Sequence, residues 1–481
     1  MTTSVPAALL EVQQRAVGEL VEVVPAVVGL GERFASAGFE LAAVGGCVRD
    51  AVLGTLGRGD IDVDLTTDAP PLESMELLRE WADTVWDVGI EWGTVGARAH
   101  GRDWEVTTYR ADAYEGHTRK PDVTFGTSLS DDLVRRDFTI NAMAIRLPTG
   151  EFVDEHRGLV DLAARRLRTP GSPEVSFTED PLRMMRAARF VAQLDVTIEP
   201  ATYAAITAMA DRLSIVSPER IRDELVRLLM APHPREGLAV LVDSGLADVV
   251  LPELPALRLE IDEHHRHKDV YEHSLTVLDQ AIALEEDGEP DLILRLAAVL
   301  HDVGKPRTRR FESGGGVSFH HHEVVGARMA AKRMKALHFS KAEIEEVSRL
   351  VELHLRFHGY GTGEWTDSAV RRYVRDAGPL LPRLHRLTRA DCTTRNQRRA
   401  RALQRAYDSL EDRIERLAEE EELAAIRPDL DGNEIMGILG IPPGRDVGRA
   451  YHHLLEVRLE KGPLGRDAAA EELRRWWADQ G

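Results

Sequence analysis

Apolar and polar positions divide this chain into two regimes. In the first part short apolar runs end at turns, and from about Thr178 onward apolar residues recur every three to four positions. The opening stretch Val5–Leu30 is apolar-rich, but Glu11, Gln13, Gln14, Arg15, Glu19 and Glu22 interrupt it at helical spacing. It predicts an amphipathic helix and not a signal peptide. Leu41–Val44 is a short apolar run ending in Gly-Gly, a strand that enters a tight turn. Ile61–Leu65 alternates acidic and apolar residues, as a half-buried strand does, and Trp104–Tyr109 and Phe152–Asp154 read as further strands. Later, Ile221–Met230, Leu292–His301, Glu343–His354 and Arg398–Leu423 carry charged faces opposite apolar ones and predict helices. The fold class is α+β: a mixed head followed by a long helical body, without an internal repeat. The expected division is an N-terminal helix (1–35), a head (36–170), a neck (171–235), a helical domain (236–395) and a helical tail (396–481).

Composition narrows the partners. The 481 residues can bury several cores, and 61 Lys+Arg against 81 Asp+Glu leave a net charge of −20. Such a field does not favour binding along duplex phosphates, so no DNA partner is expected and any RNA contact must use local basic patches. Arg395, Arg398, Arg399, Arg401 and Arg405 form one such stretch, or else an ordinary charged helix face; the Glu419–Glu422 run reads as a solvated face. The two cysteines, Cys47 and Cys392, lie far apart and suggest a reduced, cytoplasmic protein without a disulfide framework. No apolar run approaches the roughly 18 residues of a membrane span.

Four segments carry chemistry. Gly45-Gly46 before a helix lets backbone N–H groups approach a phosphate, with Arg49 about one turn beyond. Asp60, Asp62 and Asp64, two apart on a strand, project from one face, and two such carboxylates can share Mg²⁺ ions. A lone Asp-x-Asp is usually an acidic strand near a turn; the upstream glycines raise its weight. In Arg135-Arg136-Asp137-Phe138-Thr139-Ile140-Asn141, Asp and Asn offer acceptors for a ribose hydroxyl and Arg can pair with a phosphate, although a helix start with a buried Phe138 would look the same. Finally, Glu179, Asp180 and Arg183 share a face at a helix start. An Asp acceptor beside an Arg donor matches the amino group and bare ring nitrogen of cytosine and adenine, and leaves uracil and guanine mismatched. The plain alternative is a helix-start ion pair.

The Gly-Gly-x-Val-Arg-Asp segment followed by Asp62-Val63-Asp64-Leu65-Thr66-Thr67 resembles the head of the class II tRNA nucleotidyltransferase and bacterial poly(A) polymerase family, within the DNA polymerase β superfamily. The resemblance implies a polymerase-β-like head, with Asp62 and Asp64 as Mg²⁺ ligands; the pair Asp60/Asp62 stays open. A third carboxylate is expected from a neighbouring strand, and Glu105 is the candidate, or an exposed strand acid. The resemblance further implies nucleotide contacts from Gly46, Arg49, Arg136, Asp137, Asn141, Asp180, Arg183, Arg186 and Arg189. Ser217-Pro218-Glu219-Arg220-Ile221-Arg222-Asp223-Glu224 is similar to the family's neck motif, which would brace the base-reading helix, and is also a well-capped helix start. Asp431–Met436 and Leu439–Gly448 resemble its RNA-facing tail.

In the helical body, Val299–Lys305 and Asp269–Ser274 look like an HD-type phosphohydrolase domain. His273, His301, Asp302, His322, His354 and Asp391 would ligate a transition metal such as Ni²⁺ or Mn²⁺, with His320 and His321 adjoining alternatives to His322, or the region is a helical scaffold without metal. Together these features imply addition of C, C and A to tRNA 3′ ends from CTP and ATP by a monomer or homodimer. The rivals are a poly(A) polymerase or an A- or CC-adding specialist, an HD phosphohydrolase with an RNA-binding head, and a noncatalytic RNA-binding protein.

Overall fold

The computed structural model describes residues 7–57, 63–87, 89–109, 126, 128–258, 270–313, 317–359, 365–394, 396–421 and 427–480. It divides into two compact units, residues 1–249 and 250–481.

The first unit is built on a seven-stranded sheet. The strands are β1 (Leu41–Val44), β2 (Val63–Thr67), β3 (Thr84–Trp86), β4 (Thr94–Ala99), β5 (Arg102–Thr108), β6 (Ala144–Leu147) and β7 (Phe152–Val153), in the order β3-β4-β5-β2-β1-β6-β7. Within this sheet, among the described residues, only β2 and β5 pair in parallel; their register sets Asp64 opposite Glu105 and Thr66 opposite Thr107. β1 is buried along its whole length, which explains its unbroken apolar run. Helices α1 (Ala7–Val23), α2 (Ala26–Ser36), α3 (Gly46–Leu53), α4 (Pro71–Arg79), α5 (Leu129–Val134) and α6 (Gly158–Ala163) accompany the sheet. The single N-terminal helix read from the sequence is two, because Pro25 ends the first: a proline there has no N–H to continue the ladder. The second strand begins two residues later than expected among the described residues, at Val63; Asp60 and Asp62 lie outside them.

The neck follows as α7 (Pro173–Glu179), α8 (Leu182–Leu194), α9 (Pro200–Met209), α10 (Pro218–Leu229), α11 (Pro234–Asp243) and α12 (Ala247–Val250). α8 buries one face, with Met184, Met185, Ala188 and Phe190 fully or nearly enclosed, and leaves Arg183 and Arg186 on the other.

Among the described residues the second unit is helical apart from a short two-stranded hairpin. Its helices are α13 (Val270–Ile282), α14 (Leu292–Leu300), α15 (Lys305–Thr308), α16 (His322–Ala336), α17 (Lys341–Leu353), α18 (Asp367–Ala377), α19 (Leu381–Ala390), α20 (Gln397–Glu421), α21 (Gly432–Leu439), α22 (Arg445–Lys461) and α23 (Arg466–Ala478). α14 is buried on every side, and the metal-type residues His301 and Asp302 sit where it ends. The last three helices close a core of their own around Leu430, Ile435, Leu454 and Leu473. No helix among the described residues is long and apolar enough to cross a membrane.

Candidate active site

A cavity of about 360 Å³ opens in the first unit, and four of the sequence motifs supply its walls. At one end is the turn between β1 and α3. Gly45 holds φ = +77°, and a Cβ placed on it would lie 3.2 Å from Arg136 Nη1 and 3.3 Å from Asp64 Oδ2. Glycine is therefore required twice, for its backbone angle and for the approach of the two charged groups. The first N–H groups of α3 have no intrahelical acceptor, which makes this turn suited to a phosphate. Asp64 borders the cavity, and Glu105 stands beside it on β5, on the same face of the sheet, with Thr107 next along. Cys47, two residues into the helix, is not a nucleophile here: burial pushes its thiol up to about 12, and the nearby Asp64 adds to this.

The middle of the cavity is a charge network. Arg136 donates to Asp132 at 2.9 Å, one turn earlier on α5. Burial works against the Arg136 charge, but Asp132, and then Asp64 and Asp137, outweigh it and raise its pKa. Asp137 accepts from the Phe138 N–H (2.8 Å), Asn141 Nδ2 (3.0 Å) and Arg186 Nε (2.8 Å). Its burial opposes ionisation, yet Arg186 and these donors hold the carboxyl at about 2. Arg49 stands behind this wall, buried, donating to Asn141 Oδ1 at 2.8 Å and to Asp50. Phe138 packs edge-on against Phe190 of α8 at 5.7 Å, which ties the network to the neck.

At the far end are Asp180 and Arg183, which both line the cavity without pairing directly. Arg183 is fixed by Glu179 (3.0 Å), Ser176 Oγ (2.9 Å) and the Arg135 carbonyl (2.6 Å). Asp180 accepts from the Leu182 N–H (3.1 Å) and from Arg220 (2.8 Å) on α10. The helix-start ion pair is thus Glu179–Arg183, and Asp180 is a separate, braced acceptor. α10 braces α8 a second time through Glu224, which takes Arg189 Nε at 2.7 Å.

Of the residues expected to touch a nucleotide, Gly46, Asp64, Arg136, Asp137, Asn141, Asp180, Arg183 and Arg186 line one cavity. Arg49 and Arg189 do not: both are buried behind it, Arg189 against Glu224 and Gln193 and over the Phe190 ring. Two lining residues were not singled out from the sequence, Asp132 and Thr107. The four-residue spacing of Asp132 and Arg136 was a readable signal; nothing marked Thr107 except its place two after Glu105.

The second unit gathers all six metal-type residues. His273, His301 and Asp391 form one group and Asp302, His322 and His354 another, each with its ligand atoms within 4.8 Å of one another. His273 Nε2 is 3.0 Å from Asp391 and 3.4 Å from His301 Nε2; Asp302 bridges His301 and His322 at 3.2 Å each. The rings are oriented from behind. Nδ1 of His301, His322 and His354 faces the carbonyl three residues back at 2.8, 2.8 and 2.6 Å, and Nδ1 of His273 meets Thr393. A proton on each Nδ1 leaves the Nε2 lone pairs converging, the arrangement that metal-bound imidazoles use. His354 Nε2 is buried with no hydrogen-bond partner among the described residues, and burial holds its pKa down at about 3, so the ring is neutral. Burial also opposes charge on His301, but the adjoining Asp302 outweighs it and raises its pKa, while Asp302 stays far below the carboxylate range. Such a cluster attracts a cation, and its donor set fits a transition metal. Among the three neighbouring histidines, His322 faces in; His321 takes a left-handed conformation (φ = +61°) and turns out to solvent, as does His320.

On α20, Arg398, Arg399, Arg401 and Arg405 are all exposed; Arg395 lies outside the described residues. Asp431 closes a capping box at the start of α21 and Gly440 ends that helix at φ = +66°.

The chain is similar to known proteins. Residues 41–168 match the family described as the poly A polymerase head domain, residues 195–257 a probable RNA- and SrmB-binding site of polymerase A, and residues 270–396 the HD domain. The A-adding tRNA nucleotidyltransferase of Deinococcus radiodurans is 35% identical over 423 residues, which cover 84% of this chain and 94% of that protein. The CCA-adding enzyme of Levilactobacillus brevis is 46% identical over 211 residues, 44% of this chain and only 51% of that enzyme. The crystal structure of the Bacillus stearothermophilus CCA-adding enzyme in complex with CTP superimposes with a TM-score of 0.68 over 98% of this chain and 99% of that one, at 23% identity. At that identity it shows a shared fold.

Proposed function

The chain belongs to the tRNA nucleotidyltransferase family, and on that premise we propose that it adds C, C and A to tRNA 3′ ends from CTP and ATP, releasing pyrophosphate. One observation carries the reading: a phosphate-type turn, a strand carboxylate, a buried Asp–Asn–Arg network and an Asp/Arg pair line one cavity in that order. A nucleoside triphosphate lies along it with its phosphates toward Gly46 and Arg136, its sugar at Asp137 and Asn141, and its base at Asp180 and Arg183. Asp64, with Asp62 and Glu105, would hold Mg²⁺, which when bound would supply charge stabilisation for the attacking 3′-hydroxyl and the leaving pyrophosphate. Arg183 donates to the bare ring nitrogen of C or A while Asp180 accepts from the adjacent amino group; with U or G the Arg183 donor would meet a ring N–H and the Asp180 acceptor a carbonyl.

The exposed arginines of α20 suit contact with RNA phosphates. The His/Asp cluster of the second unit supports a metal-dependent phosphohydrolase acting on terminal or 2′,3′-cyclic phosphates, with Ni²⁺ or Mn²⁺ as the resident ion. A cytoplasmic location, as a monomer or homodimer, accompanies the reading. A second reading, an A-adding specialist, is favoured by the relative that matches along nearly its whole length. One assay separates them: Mg²⁺, labelled CTP or ATP, and tRNAs truncated before the first C, the second C or the terminal A. Addition to all three supports CCA synthesis. Addition of A alone to the last substrate establishes the specialist, and transfer to none refutes both.

A further inference from the structure

The second unit holds a cavity of about 490 Å³, larger than the nucleotide cavity of the head, that neither site above uses. Gln280 of α13 and Leu284 in the turn after it, Arg389 of α19 and Cys392 just past its end, and Ala400 and Gln404 of α20 form its walls. Its position follows from helix geometry. Gln280 comes seven residues after His273, so the two share one face of α13, and Leu284 lies in the turn just beyond that helix. At 1.5 Å per residue the cavity starts about 10 Å along the helix from the metal-type cluster. On the opposite wall Cys392 directly follows Asp391. One wall of the cavity thus lies about 10 Å along α13 from His273, and another begins at the residue after Asp391.

Its chemistry points to a ring. The body is apolar, formed by Leu284, Ala400 and their neighbours. The polar rim has two amides, Gln280 and Gln404, neither engaged by another described residue. Free amides, each both donor and acceptor, suit the edge of a heterocycle. Arg389 is already committed to Asp408 and Glu411 at 2.8 Å each and lies over Tyr407, so the cavity itself offers no phosphate seat. Exposed Arg398, Arg399, Arg401 and Arg405 lie on the same helix as Ala400 and Gln404, and they favour an anionic ligand. The volume falls within the ~300–1,000 Å³ of small-molecule sites.

We propose that this cavity is the ring subsite of the His/Asp cluster: it takes the nucleobase and sugar of a nucleoside phosphoester whose phosphate rests at the cluster. The inference rests on the phosphohydrolase reading of that cluster. The source of the ligand is a free nucleotide or the 3′-terminal nucleotide of an RNA.

The test uses the full chain. Ala400→Trp fills the cavity from its rim and Gln404→Ala removes one amide; unchanged nucleotide addition to tRNA verifies that each variant is folded. Hydrolysis of adenosine 2′,3′-cyclic phosphate and of 4-nitrophenyl phosphate is followed with Mn²⁺ or Ni²⁺. The expected result for Ala400→Trp is a KM at least tenfold higher for the nucleoside ester, with turnover of the small ester within twofold. Gln404→Ala should raise the same KM severalfold at constant kcat. An oligonucleotide ending in the cyclic phosphate forms the second arm: a KM effect there alone identifies RNA ends as the source. Equal losses on the nucleoside and small esters, or an unchanged KM for both adenosine 2′,3′-cyclic phosphate and the oligonucleotide, overturns the subsite. If wild type hydrolyses nothing and retains no metal, the phosphohydrolase reading fails, and the subsite is judged by equilibrium binding of labelled adenosine 2′-phosphate. A class of sites lost in Ala400→Trp keeps the subsite; identical binding in both proteins overturns it.

Discussion

Replacing Asp180 separates base reading from helix capping. In the structure its Oδ1 accepts from the Leu182 N–H at the start of α8, and its Oδ2 accepts from Arg220, whose side chain is 54% exposed. Asp180→Ala removes both. Loss of a helix-start acceptor costs ~1 kcal/mol, and the half-exposed ion pair adds less than about 1 kcal/mol. The stability effect is thus roughly 1–2 kcal/mol. The selection effect is larger. A hydrogen bond from a base amino group to a carboxylate contributes about 1.5–3 kcal/mol, which corresponds to roughly 10- to 150-fold in kcat/KM for C and A. U and G, which place a carbonyl where the amino group would be, lose a repulsion and gain. Asp180→Asn keeps the cap, because the amide oxygen still accepts, yet it can turn its NH₂ toward a carbonyl. It should restore most of the stability and none of the discrimination. The assay measures kcat/KM for each of the four nucleotides on tRNAs truncated before the first C and before the terminal A, alongside urea unfolding. A stability loss of the stated size with C-to-U and A-to-G ratios unchanged within twofold would make Asp180 a helix cap and nothing more.

Asp64→Ala should lower transfer by roughly 10²-fold or more while the protein stays folded, and Glu105→Ala should follow it; normal rates in either remove that carboxylate from the site. Gly45→Ala forces a side chain into φ = +77° against Arg136 and Asp64, at a cost of roughly 1–2 kcal/mol, and should depress kcat/KM for CTP and ATP equally; a changed ratio would contradict a phosphate role for the turn. Asp137 is held at about 2 against an ordinary 3.8, so Asp137→Asn should cost roughly 2 kcal/mol near neutrality. Because the folded pKa is the lower one, that deficit should be constant above the ordinary carboxylate range and shrink as pH falls toward 2; urea midpoints from pH 7 to 3 that diverge on acidification would refute the pairing with Arg186. The double variant His301→Ala, Asp302→Ala should abolish copurifying transition metal and phosphoester hydrolysis but leave nucleotide addition nearly intact, since each cluster draws its ligands from one unit; joint loss without unfolding would show that the two are coupled.

The cavity of the head was legible because its chemistry demands particular residue types at short spacing. Gly45-Gly46, Asp137 with Asn141, and Asp180 with Arg183 each work within one turn or one helix start, so the sequence carries them whole. Arg189 looked like the next member of the Arg183–Arg186 series. Its fate was decided by Glu224, a buried carboxylate 35 residues away on α10, and no local spacing reports such a partner. Arg49 was drawn inward in the same way by Asn141, 92 residues on. β3 (Thr84–Trp86), β4 (Thr94–Ala99) and β6 (Ala144–Leu147) were missed: β3 is only three residues long, and the Gly and Ala residues of β4 carry a weak strand preference. The choice of His322 over its two neighbours rested on one backbone angle at His321, which a run of three histidines does not encode visibly.

The two metal-type sites are built on opposite principles, and the difference follows from what their ligands can be. In the head, Asp64 and Glu105 are paired on adjacent strands of one sheet, and Glu105 is exposed. Carboxylates placed this way suit a hard ion that keeps several waters and arrives with substrate phosphates. In the second unit His301, Asp302, His322 and His354 are buried, and three of the rings are turned inward by carbonyls behind them before any ligand binds. Orienting the rings in advance lowers the cost of binding and excludes hydration, which suits an ion that stays. A brief chelator treatment followed by gel filtration should therefore leave nucleotide addition fully recoverable with Mg²⁺ alone. Phosphoester hydrolysis should survive that brief treatment and disappear only after prolonged chelation, returning with Mn²⁺ or Ni²⁺ and not with Mg²⁺. Instant loss of hydrolysis, or its rescue by Mg²⁺, would mean that the histidine cluster binds its ion no more selectively than the strand carboxylates do.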